Sequence, residues 1–398
     1  MAKIIHVQPR LNQLGAYPFE RLKKLRAGIS PNPSLAHIDA GAGEPRLPLP
    51  AFVQDTLNAH LGGFSKYPPT RGIAELREAI SEWLMHRYNL AAVNPQTQIL
   101  SANGTREALF AVAHALVNPE AGNGKAYVLM PNPMYQIYLG AAITAGAQSY
   151  LMACTPENGF APDLDAVPAS IWSQTAFIYV CSPSNPTGWV ADFSYYKKLL
   201  RLADEHDFYI VADECYSEIY WQNKPPGLLE ACRQMDRNDF SRCLVMNSLS
   251  KRSALPGLRS GFIAGDATLI SRFAKLRSYT GAATPLPLQY VAAAAWRDEA
   301  HVAANLTVYR DSLGAFFEAY GEGESPAGSF FVWLPVQDGE AFAAAAFAQQ
   351  AVTLLPGSYL ATDDAECKNP GHGFIRIALV DGPEKAAELA RRLPKVTI

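Results

Sequence analysis

The chain has 398 residues, a formal net charge of -3 at pH 7, and 49% hydrophobic and 18% charged residues. This composition is typical of a soluble globular protein of about two or three domains. The nearly balanced charge offers no basic surface for a nucleic acid, and no apolar run reaches the roughly 18 residues that span a bilayer. The first residues also lack the apolar stretch of a signal peptide. We therefore expect small-molecule partners, no nucleic acid, no membrane, and a cytoplasmic location.

The cysteines are widely separated, and no C-x-x-C pair is present to begin a zinc site or a redox centre. We therefore expect no metal. Mostly buried thiols are expected at Cys154, Cys181, Cys215, Cys232, Cys243 and Cys367.

Two amphipathic helices are predicted in the first third of the chain. The first begins at about residue 71 and ends before Asn94, because apolar residues recur at helical spacing. These apolar residues are Ile73, Leu76, Ile80, Trp83 and Leu84. The second helix has Asn103 as its expected N-cap and begins near Gly104. Its apolar stripe consists of Leu109, Val112, Ala113 and Leu116.

Strands alternate with helices through the middle of the chain. Apolar runs predict strands at 126–130, 177–181, 208–212 and 243–246, separated by helical segments such as 195–205. This alternation indicates an α/β fold with a mostly parallel sheet. After about residue 285 the pattern changes to Ala-rich helices and short strands near 330–334 and 374–378, which predicts a smaller second domain.

Each of the four middle strands is followed directly by polar or proline-containing sequence. The carboxyl ends of the strands in an open α/β sheet border the ligand crevice, so we expect these segments to form one pocket. The segments are Pro131-Asn132-Pro133, Ser182-Pro183-Ser184-Asn185-Pro186, Asp213-Glu214 and Asn247-Ser248-Leu249-Ser250-Lys251.

Lys251 is the expected nucleophile of this pocket. Arg252 and Arg259 follow it, and neighbouring cations lower the pKa of a lysine and free its amine for imine formation. Ser248 and Lys251 also match the S-x-x-K signature of serine acyltransferases. We disfavour that interpretation because the companion K-T-G motif is missing and the match follows a strand instead of opening a helix.

Asp213 closes an apolar strand, where a buried carboxylate needs a cationic partner. A pyridinium nitrogen would serve, and its protonation makes such a ring an electron sink. A helix N-cap is the structural alternative for this aspartate. Asn185 alone would indicate a turn, but beside Asp213 and Tyr216 it contributes to a pair of donors for a phenolate oxygen.

A phosphate site is predicted at the start of the second helix. Gly104, Thr105 and Arg106 supply backbone amides, a hydroxyl and a guanidinium, and Ser248, Ser250 and Arg259 can complete the set. The alternative is an ordinary capped helix start.

Tyr135 and Arg376 are two further candidates. Tyr135 could lie flat against a planar cofactor, although an aromatic residue is more often part of the core. Arg376 stands in the middle of an apolar strand and calls for an anionic partner. A substrate carboxylate fits this need, with a structural salt bridge as the alternative.

The combined pattern resembles the fold-type I, pyridoxal-5'-phosphate-dependent aminotransferases of the aspartate aminotransferase superfamily, over nearly the whole chain. The residues that carry the resemblance, in order, are Asn185, Asp213, Tyr216, Lys251, Arg259 and Arg376.

The resemblance implies a pyridoxal 5'-phosphate cofactor held as a Schiff base on Lys251, which also moves the proton at the substrate's α carbon. It implies an N-terminal segment 1–46 that joins the small domain, a large domain 47–284, and a small α+β domain 285–398. It further implies a homodimer with shared sites, in which Tyr67 reaches the cofactor phosphate of the other subunit. Gly43 matches the segment that closes over the substrate carboxylate.

Four longer stretches, 17–22, 132–138, 248–253 and 355–360, are similar to bacterial N-succinyldiaminopimelate aminotransferases of lysine biosynthesis. This resemblance implies transfer between glutamate and N-succinyl-2-amino-6-oxopimelate, and we expect Tyr17 to contact the substrate. Two positions depart from the pattern: Thr362 replaces an expected arginine and Ala254 the usual asparagine. An aspartate, aromatic or LL-diaminopimelate aminotransferase stays open as an alternative, as does a non-catalytic cofactor-binding regulator.

Overall fold

The computed structural model describes residues 8–118, 126–281, 283–364 and 368–398, so Cys367 lies outside the described residues. The helices are α1 (Pro18–Arg26), α2 (Ala51–His60), α3 (Ala74–Tyr88), α4 (Thr105–Leu116), α5 (Ile137–Ala145), α6 (Ala169–Trp172), α7 (Phe193–His206), α8 (Leu228–Gln234), α9 (Leu249–Arg252), α10 (Ala267–Thr280), α11 (Leu286–Arg297), α12 (Ala300–Tyr320), α13 (Gly339–Gln350) and α14 (Pro383–Arg392). The strands are β1 (Ile38–Asp39), β2 (Ile99–Ala102), β3 (Tyr127–Asn132), β4 (Gln148–Ala153), β5 (Thr175–Cys181), β6 (Tyr209–Asp213), β7 (Cys243–Ser248), β8 (Gly261–Gly265), β9 (Phe331–Pro335), β10 (Val352–Thr353), β11 (Leu355–Pro356) and β12 (Phe374–Ala378).

A seven-stranded sheet in the order β2-β8-β7-β6-β5-β3-β4 forms the centre of the molecule. The pairs from β7 through β4 are parallel, and β8 runs antiparallel to both of its neighbours. The expected α/β fold with a mostly parallel sheet is therefore confirmed. All four strands predicted in the middle of the chain are present.

Both faces of this sheet are buried, which explains why its strands read as continuous apolar runs. Alternate residues of one strand point to opposite faces, so Ile178 and Val180 belong to one core while Phe177 and Tyr179 belong to another. Helices α3, α7, α8 and α11 contribute to the first core, and α4, α5 and α10 contribute to the second.

A smaller antiparallel sheet, β11-β12-β9, packs with α12, α13 and α14 around a third core. Strand β1 pairs with β10, which brings the N-terminal part of the chain to this region. The association of residues 1–46 with the small domain stays a proposal, as does the division at residues 46 and 284.

The expectation that Asn103 caps the second helix is wrong. Helix α4 begins one residue later, with Gly104 at the N-cap position, and Asn103 instead accepts a hydrogen bond from the Thr284 hydroxyl at 3.0 Å. The backbone φ of Gly104 is 82°, in the region that favours glycine, so the turn into α4 depends on this residue.

The cysteines Cys154, Cys181, Cys215, Cys232 and Cys243 are buried free thiols, as expected. Within the four described ranges, no cluster of three or more histidine, cysteine, aspartate or glutamate residues could hold a metal ion. None of the helices in those ranges has the length and apolarity needed to cross a bilayer.

Candidate active site

One cavity of about 630 Å³ lies where β3, β5, β6 and β7 end. Its volume falls in the usual range of small-molecule sites, about 300–1,000 Å³. The structure brings thirteen of the sequence-predicted residues to its wall: Tyr17, Gly43, Thr105, Arg106, Tyr135, Asn185, Asp213, Tyr216, Ser248, Ser250, Lys251, Arg259 and Arg376.

Lys251 lies in the single-turn helix α9 that follows β7, and its ammonium donates a hydrogen bond to the Gly43 carbonyl. Burial lowers the pKa of Lys251 to about 8. Among the smaller contributions to this pKa, the positive charges of Arg376 and Arg106 lower it, while Cys215 and Glu44 raise it. A substantial neutral fraction of the amine is therefore present near pH 8.

The prediction that Arg252 is one of the cations beside Lys251 in the pocket is wrong. Its guanidinium is buried behind the site and donates to the backbone carbonyls of Ala295 and Trp296 and to Glu299. The low pKa of Lys251 therefore comes first from burial, and its cationic neighbours across the cavity are Arg376 and Arg106.

Asp213 is the last residue of β6, and only 3% of its surface is exposed. Its Oδ2 accepts a hydrogen bond from the Tyr138 hydroxyl at 2.7 Å, and Oδ1 accepts one from the Cys215 backbone N–H at 3.2 Å. Burial raises the pKa of Asp213, and the donors on Tyr138 and Cys215 oppose that rise. No α-helix begins at this residue, so the N-cap alternative does not apply.

Arg376 and Asn185 form a buried pair on another wall of the cavity. Arg376 donates to Asn185 Oδ1 at 2.9 Å and to the Gly41 carbonyl at 2.8 Å, and its guanidinium lies 4.2 Å from the Phe331 ring centroid. Its Nε is buried without a partner, and no acidic side chain pairs with it in the part of the chain that the structure describes. The structural salt bridge is therefore absent there.

Among the described residues, the Arg376 guanidinium therefore has no ion-pair partner. Burial lowers the pKa of its guanidinium to about 10. Since a buried cation is stabilised by a desolvated anion, the cavity offers a binding place for a carboxylate beside Arg376.

Of the residues expected to hold a phosphate, Thr105, Ser248, Ser250 and Arg259 line the cavity, and Gly104 does not. The Ser248 hydroxyl donates to the Ser250 hydroxyl at 2.8 Å, and Thr105 and Arg259 line the same part of the chain's cavity. A Cβ built on Gly104 would overlap the Arg259 guanidinium, so a glycine at this position permits the close approach of Arg259 to the start of α4.

Arg106 lies on the exposed side of the cavity with two tyrosines. Its Nε donates to the Tyr135 hydroxyl at 2.7 Å and its Nη2 to the Tyr17 hydroxyl at 3.2 Å. We predicted from the sequence that Arg106 binds a phosphate. In the structure its guanidinium is tied to the two phenols, while Arg259 is the arginine beside Gly104.

Tyr67 lies outside the cavity of its own chain, and its side chain is fully exposed at 100%. Tyr216 does line the cavity, and its ring packs edge-on against Phe330 and Phe331. Burial raises the pKa of the Tyr216 hydroxyl, which keeps it protonated and able to donate a hydrogen bond.

One reason for disfavouring the S-x-x-K interpretation is wrong. Ser248 is the N-cap of α9, and its hydroxyl accepts a hydrogen bond from the Ser250 backbone N–H, so the motif does open a short helix. The absence of the companion K-T-G motif still argues against that interpretation.

Thr362 and Ala254, the two residues that differ from the N-succinyldiaminopimelate aminotransferase pattern, do not line the cavity. Ala254 has a backbone φ of 52°, a left-handed conformation that asparagine tolerates better than alanine. Thr362 contacts Asn132 only through its backbone: it accepts from Asn132 Nδ2 at 2.8 Å and donates to Oδ1 at 3.0 Å.

Among the residues that sequence reasoning missed, Glu44, Cys215 and Phe331 line the cavity, and Tyr138 contacts Asp213 from beneath it. Cys215 was visible as the second residue after Asp213, where the strand has just ended. Tyr138 could not be found in this way, because it lies on α5 and reaches Asp213 only through the packing of that helix on the sheet.

The donor set fits pyridoxal 5'-phosphate. Thr105, Ser248, Ser250 and Arg259 supply hydroxyls and a cation for a phosphate, and Asp213 supplies a buried carboxylate for a ring cation. Lys251 supplies an amine with a lowered pKa for an aldehyde. A parallel α/β sheet with these groups at its carboxyl edge defines a pyridoxal-phosphate enzyme of fold type I.

Comparison with known proteins identifies the family. Residues 37–393 match the family described as aminotransferase class I and II, so the chain belongs to that family. A solved aminotransferase from Neisseria meningitidis is 38% identical, with a TM-score of 0.92, over 98% of this chain and 99% of that one. The cofactor is pyridoxal 5'-phosphate, which members of this family use, and the protein is an aminotransferase.

Two further relatives carry more specific names. The chain is 29% identical to an LL-diaminopimelate aminotransferase from Moorella thermoacetica, over 97% of each sequence. It is 25% identical to a solved probable N-succinyldiaminopimelate aminotransferase from Thermus thermophilus, with a TM-score of 0.82, over 96% of this chain and 99% of that one.

Proposed function

We propose that this protein is a succinyldiaminopimelate transaminase of lysine biosynthesis. It converts N-succinyl-LL-diaminopimelate and 2-oxoglutarate into N-succinyl-2-amino-6-oxopimelate and glutamate. The observation that carries the proposal is a second cation in the cavity: Arg106 at the exposed side, in addition to the buried Arg376. Two separate cations suit a substrate with two or more carboxylates.

LL-diaminopimelate is the second candidate substrate, because curated relatives such as the Moorella thermoacetica enzyme carry that name. Its distal end bears an ammonium group as well as a carboxylate. Arg106 would repel that ammonium, whereas succinylation removes the charge and adds a carboxylate. The charge at the exposed side of the cavity therefore favours the succinylated compound.

In the proposed reaction each residue has a separate task. Arg376 binds the substrate's α-carboxylate, and Arg106, with Tyr17, binds the distal end. Lys251 Nζ takes the proton from the substrate's α carbon and delivers it to the cofactor, and its pKa of about 8 leaves part of the amine neutral near pH 8.

Other residues hold the cofactor. Asp213 binds its ring nitrogen, Asn185 and Tyr216 donate towards its phenolic oxygen, and Tyr135 lies against the ring. Gly104, Thr105, Ser248, Ser250 and Arg259 hold its phosphate, and Gly43 closes the cavity over the substrate. When bound, the cofactor supplies an electron sink for the negative charge that forms at the substrate's α carbon.

We further propose a cytoplasmic homodimer with shared sites. Tyr67 is fully exposed and does not line the cavity of its own chain, and the exposed apolar residues Leu61 and Phe64 precede it closely in the sequence. An exposed patch of this kind is typical of a subunit interface. Sedimentation velocity should show a dimer at micromolar concentration, and a monomer at all concentrations would refute this part of the proposal.

The substrate is tested by single-turnover mixing of the purified enzyme with separate amino donors, following the change in visible absorption of the cofactor. We expect N-succinyl-LL-diaminopimelate and glutamate to react fastest, ahead of LL-diaminopimelate, aspartate and aromatic amino acids. No response to the succinylated donor together with fast reaction of LL-diaminopimelate would refute the specific substrate and leave the aminotransferase class unchanged.

The Arg106→Gln variant sharpens this test, with L-alanine as the internal control because it lacks a distal carboxylate. We expect kcat/KM for the succinylated donor to fall at least about tenfold, the loss of one charge-assisted hydrogen bond of about 1.5 kcal/mol. The slow reaction with L-alanine should stay within about twofold of the wild-type rate. An equal fall in kcat/KM for both donors would show that Arg106 does not bind the distal end of the substrate.

A further inference from the structure

Two buried tyrosines lie beneath the cavity and stack on each other, but their hydroxyls contact different groups. Tyr138 of α5 and Tyr179 of β5 stack with ring centroids 4.5 Å apart and an interplanar angle of 17°, and neither is exposed. The Tyr138 hydroxyl donates to Asp213 Oδ2 at 2.7 Å. The Tyr179 hydroxyl donates to the Leu109 backbone carbonyl at 2.6 Å and has no contact with the site.

Tyr138 provides the shorter of the two hydrogen bonds that the structure gives to the Asp213 carboxylate. The other comes from the Cys215 backbone N–H at 3.2 Å, on the opposite oxygen. One bond to each oxygen fixes the plane of the carboxylate and leaves lone pairs on both oxygens for a donor in the cavity. The Cys215 thiol also interacts with the carboxyl, and without Tyr138 the carboxylate would lose the shortest of its described hydrogen bonds.

The charge state of Asp213 also depends on this bond. Burial raises the pKa of the carboxyl, and the Tyr138 hydroxyl is the first of the groups that oppose the rise, ahead of Cys215 and Lys251. A donor hydrogen bond favours the ionised carboxylate because it stabilises the negative charge that burial penalises. Tyr138 itself stays protonated, since burial and the charge of Asp213 raise its own pKa.

We propose that Tyr138 is a positioning residue for the transamination reaction: its hydroxyl holds the Asp213 carboxylate in the orientation that binds the ring nitrogen of the cofactor. This inference rests on the role of Asp213 in the proposed function. The partner of Tyr138 is a group that contacts the cofactor, whereas the hydroxyl of Tyr179 serves only the α4 backbone. The two residues therefore provide a test variant and a matched control.

The test compares Tyr138→Phe with Tyr179→Phe, each prepared as the holoenzyme with pyridoxal phosphate labelled with ¹⁵N in the ring. Each substitution removes one hydroxyl from the same buried stack and keeps the ring. The ¹⁵N chemical shift reports whether the ring nitrogen is protonated. We expect the wild type and Tyr179→Phe to show a protonated nitrogen, and Tyr138→Phe to shift towards the neutral value, as Asp213→Ala does more fully.

Kinetics and stability separate positioning from packing. We expect Tyr138→Phe to lower kcat by about tenfold, which is about 1.4 kcal/mol, with KM for glutamate within about twofold. Tyr179→Phe should keep kcat within about twofold while losing a similar amount of thermal stability. If both variants lose a similar amount of stability, that loss cannot explain a fall in kcat that occurs only in Tyr138→Phe.

Two outcomes would overturn the inference, and they are distinguishable. If Tyr138→Phe keeps the wild-type ¹⁵N shift and kcat while Asp213→Ala changes both, Tyr138 has no positioning role and the role of Asp213 stands. If the wild-type ring nitrogen is already neutral, the assignment of Asp213 fails and the role of Tyr138 fails with it.

Discussion

At the scale of single residues, the chemical role of a side chain was easier to predict from the sequence than the side chains that surround it. The sequence placed Lys251, Asp213 and Arg376 correctly at a common cavity because each polar group ends, interrupts or closely follows an apolar strand. It misplaced Arg252, because one residue along a helical turn changes direction by about 100°. It could not show Tyr138, whose contact with Asp213 joins residues far apart in the chain.

The lowered pKa of Lys251 gives a pH-dependent prediction. In cofactor-free protein the amine should react with a small acylating reagent at a rate that rises with pH and is half-maximal near 8, as its pKa of about 8 requires. An ordinary lysine reaches that point near about 10.4. Mass spectrometry of the peptide that contains Lys251, over a series of pH values, measures the midpoint.

The same shift has a defined effect on stability. Because the folded-state pKa lies below the unfolded value, the unfolded chain binds more protons between about pH 8 and 10.5. This group therefore makes the stability of cofactor-free protein rise with pH across that window. A labelling midpoint near that of the other lysines would contradict the buried position of the Lys251 amine.

At the scale of elements, periodicity predicted helices α3, α4 and α7 and strands β3, β5, β6, β7, β9 and β12, but not how the chain turns between them. Strand β12 was predicted with its exact bounds, and β5 and β6 within two residues, since continuous apolar runs are typical of strands buried on both faces. Strand β8 was missed, because Gly261–Gly265 carries glycine at both ends, where it pairs closely with β7. The start of α4 was misread because a glycine replaced the expected side-chain cap.

The effect of substituting Gly104 can be tested against a matched control, Gly382. Gly104 and Gly382 are both helix N-cap residues with positive φ, 82° and 92°, but a Cβ at Gly104 would overlap Arg259 and one at Gly382 would meet nothing within 4 Å. Both Gly104→Ala and Gly382→Ala should lose about 1–3 kcal/mol of stability from backbone strain. Only Gly104→Ala should also move Arg259 and weaken cofactor binding.

Absorption titration of each cofactor-free variant with pyridoxal phosphate measures this difference. We expect the dissociation constant of Gly104→Ala to rise at least about tenfold, and that of Gly382→Ala to stay within about twofold of the wild type. Equal affinities in the two variants would remove the start of α4 and Arg259 from the phosphate site.

At the scale of the whole molecule, the alternation of strands and helices was enough to predict an α/β fold with a parallel sheet. The strand order was not predictable, because it depends on which connections cross the sheet and not on any local pattern. The same limit applies to substrate specificity, since Arg106 becomes a candidate for the distal carboxylate only when Tyr17 and Tyr135 hold it at the exposed side of the cavity.

The proposed active site depends most on the attachment of the cofactor to Lys251. Borohydride reduction of the purified holoenzyme, followed by proteolysis and mass spectrometry, fixes the cofactor to its lysine and identifies the peptide. We predict a single modified peptide that contains Lys251, and no modification in the Lys251→Gln variant. A cofactor found on another lysine, or modification that persists in Lys251→Gln, would contradict the active site described above.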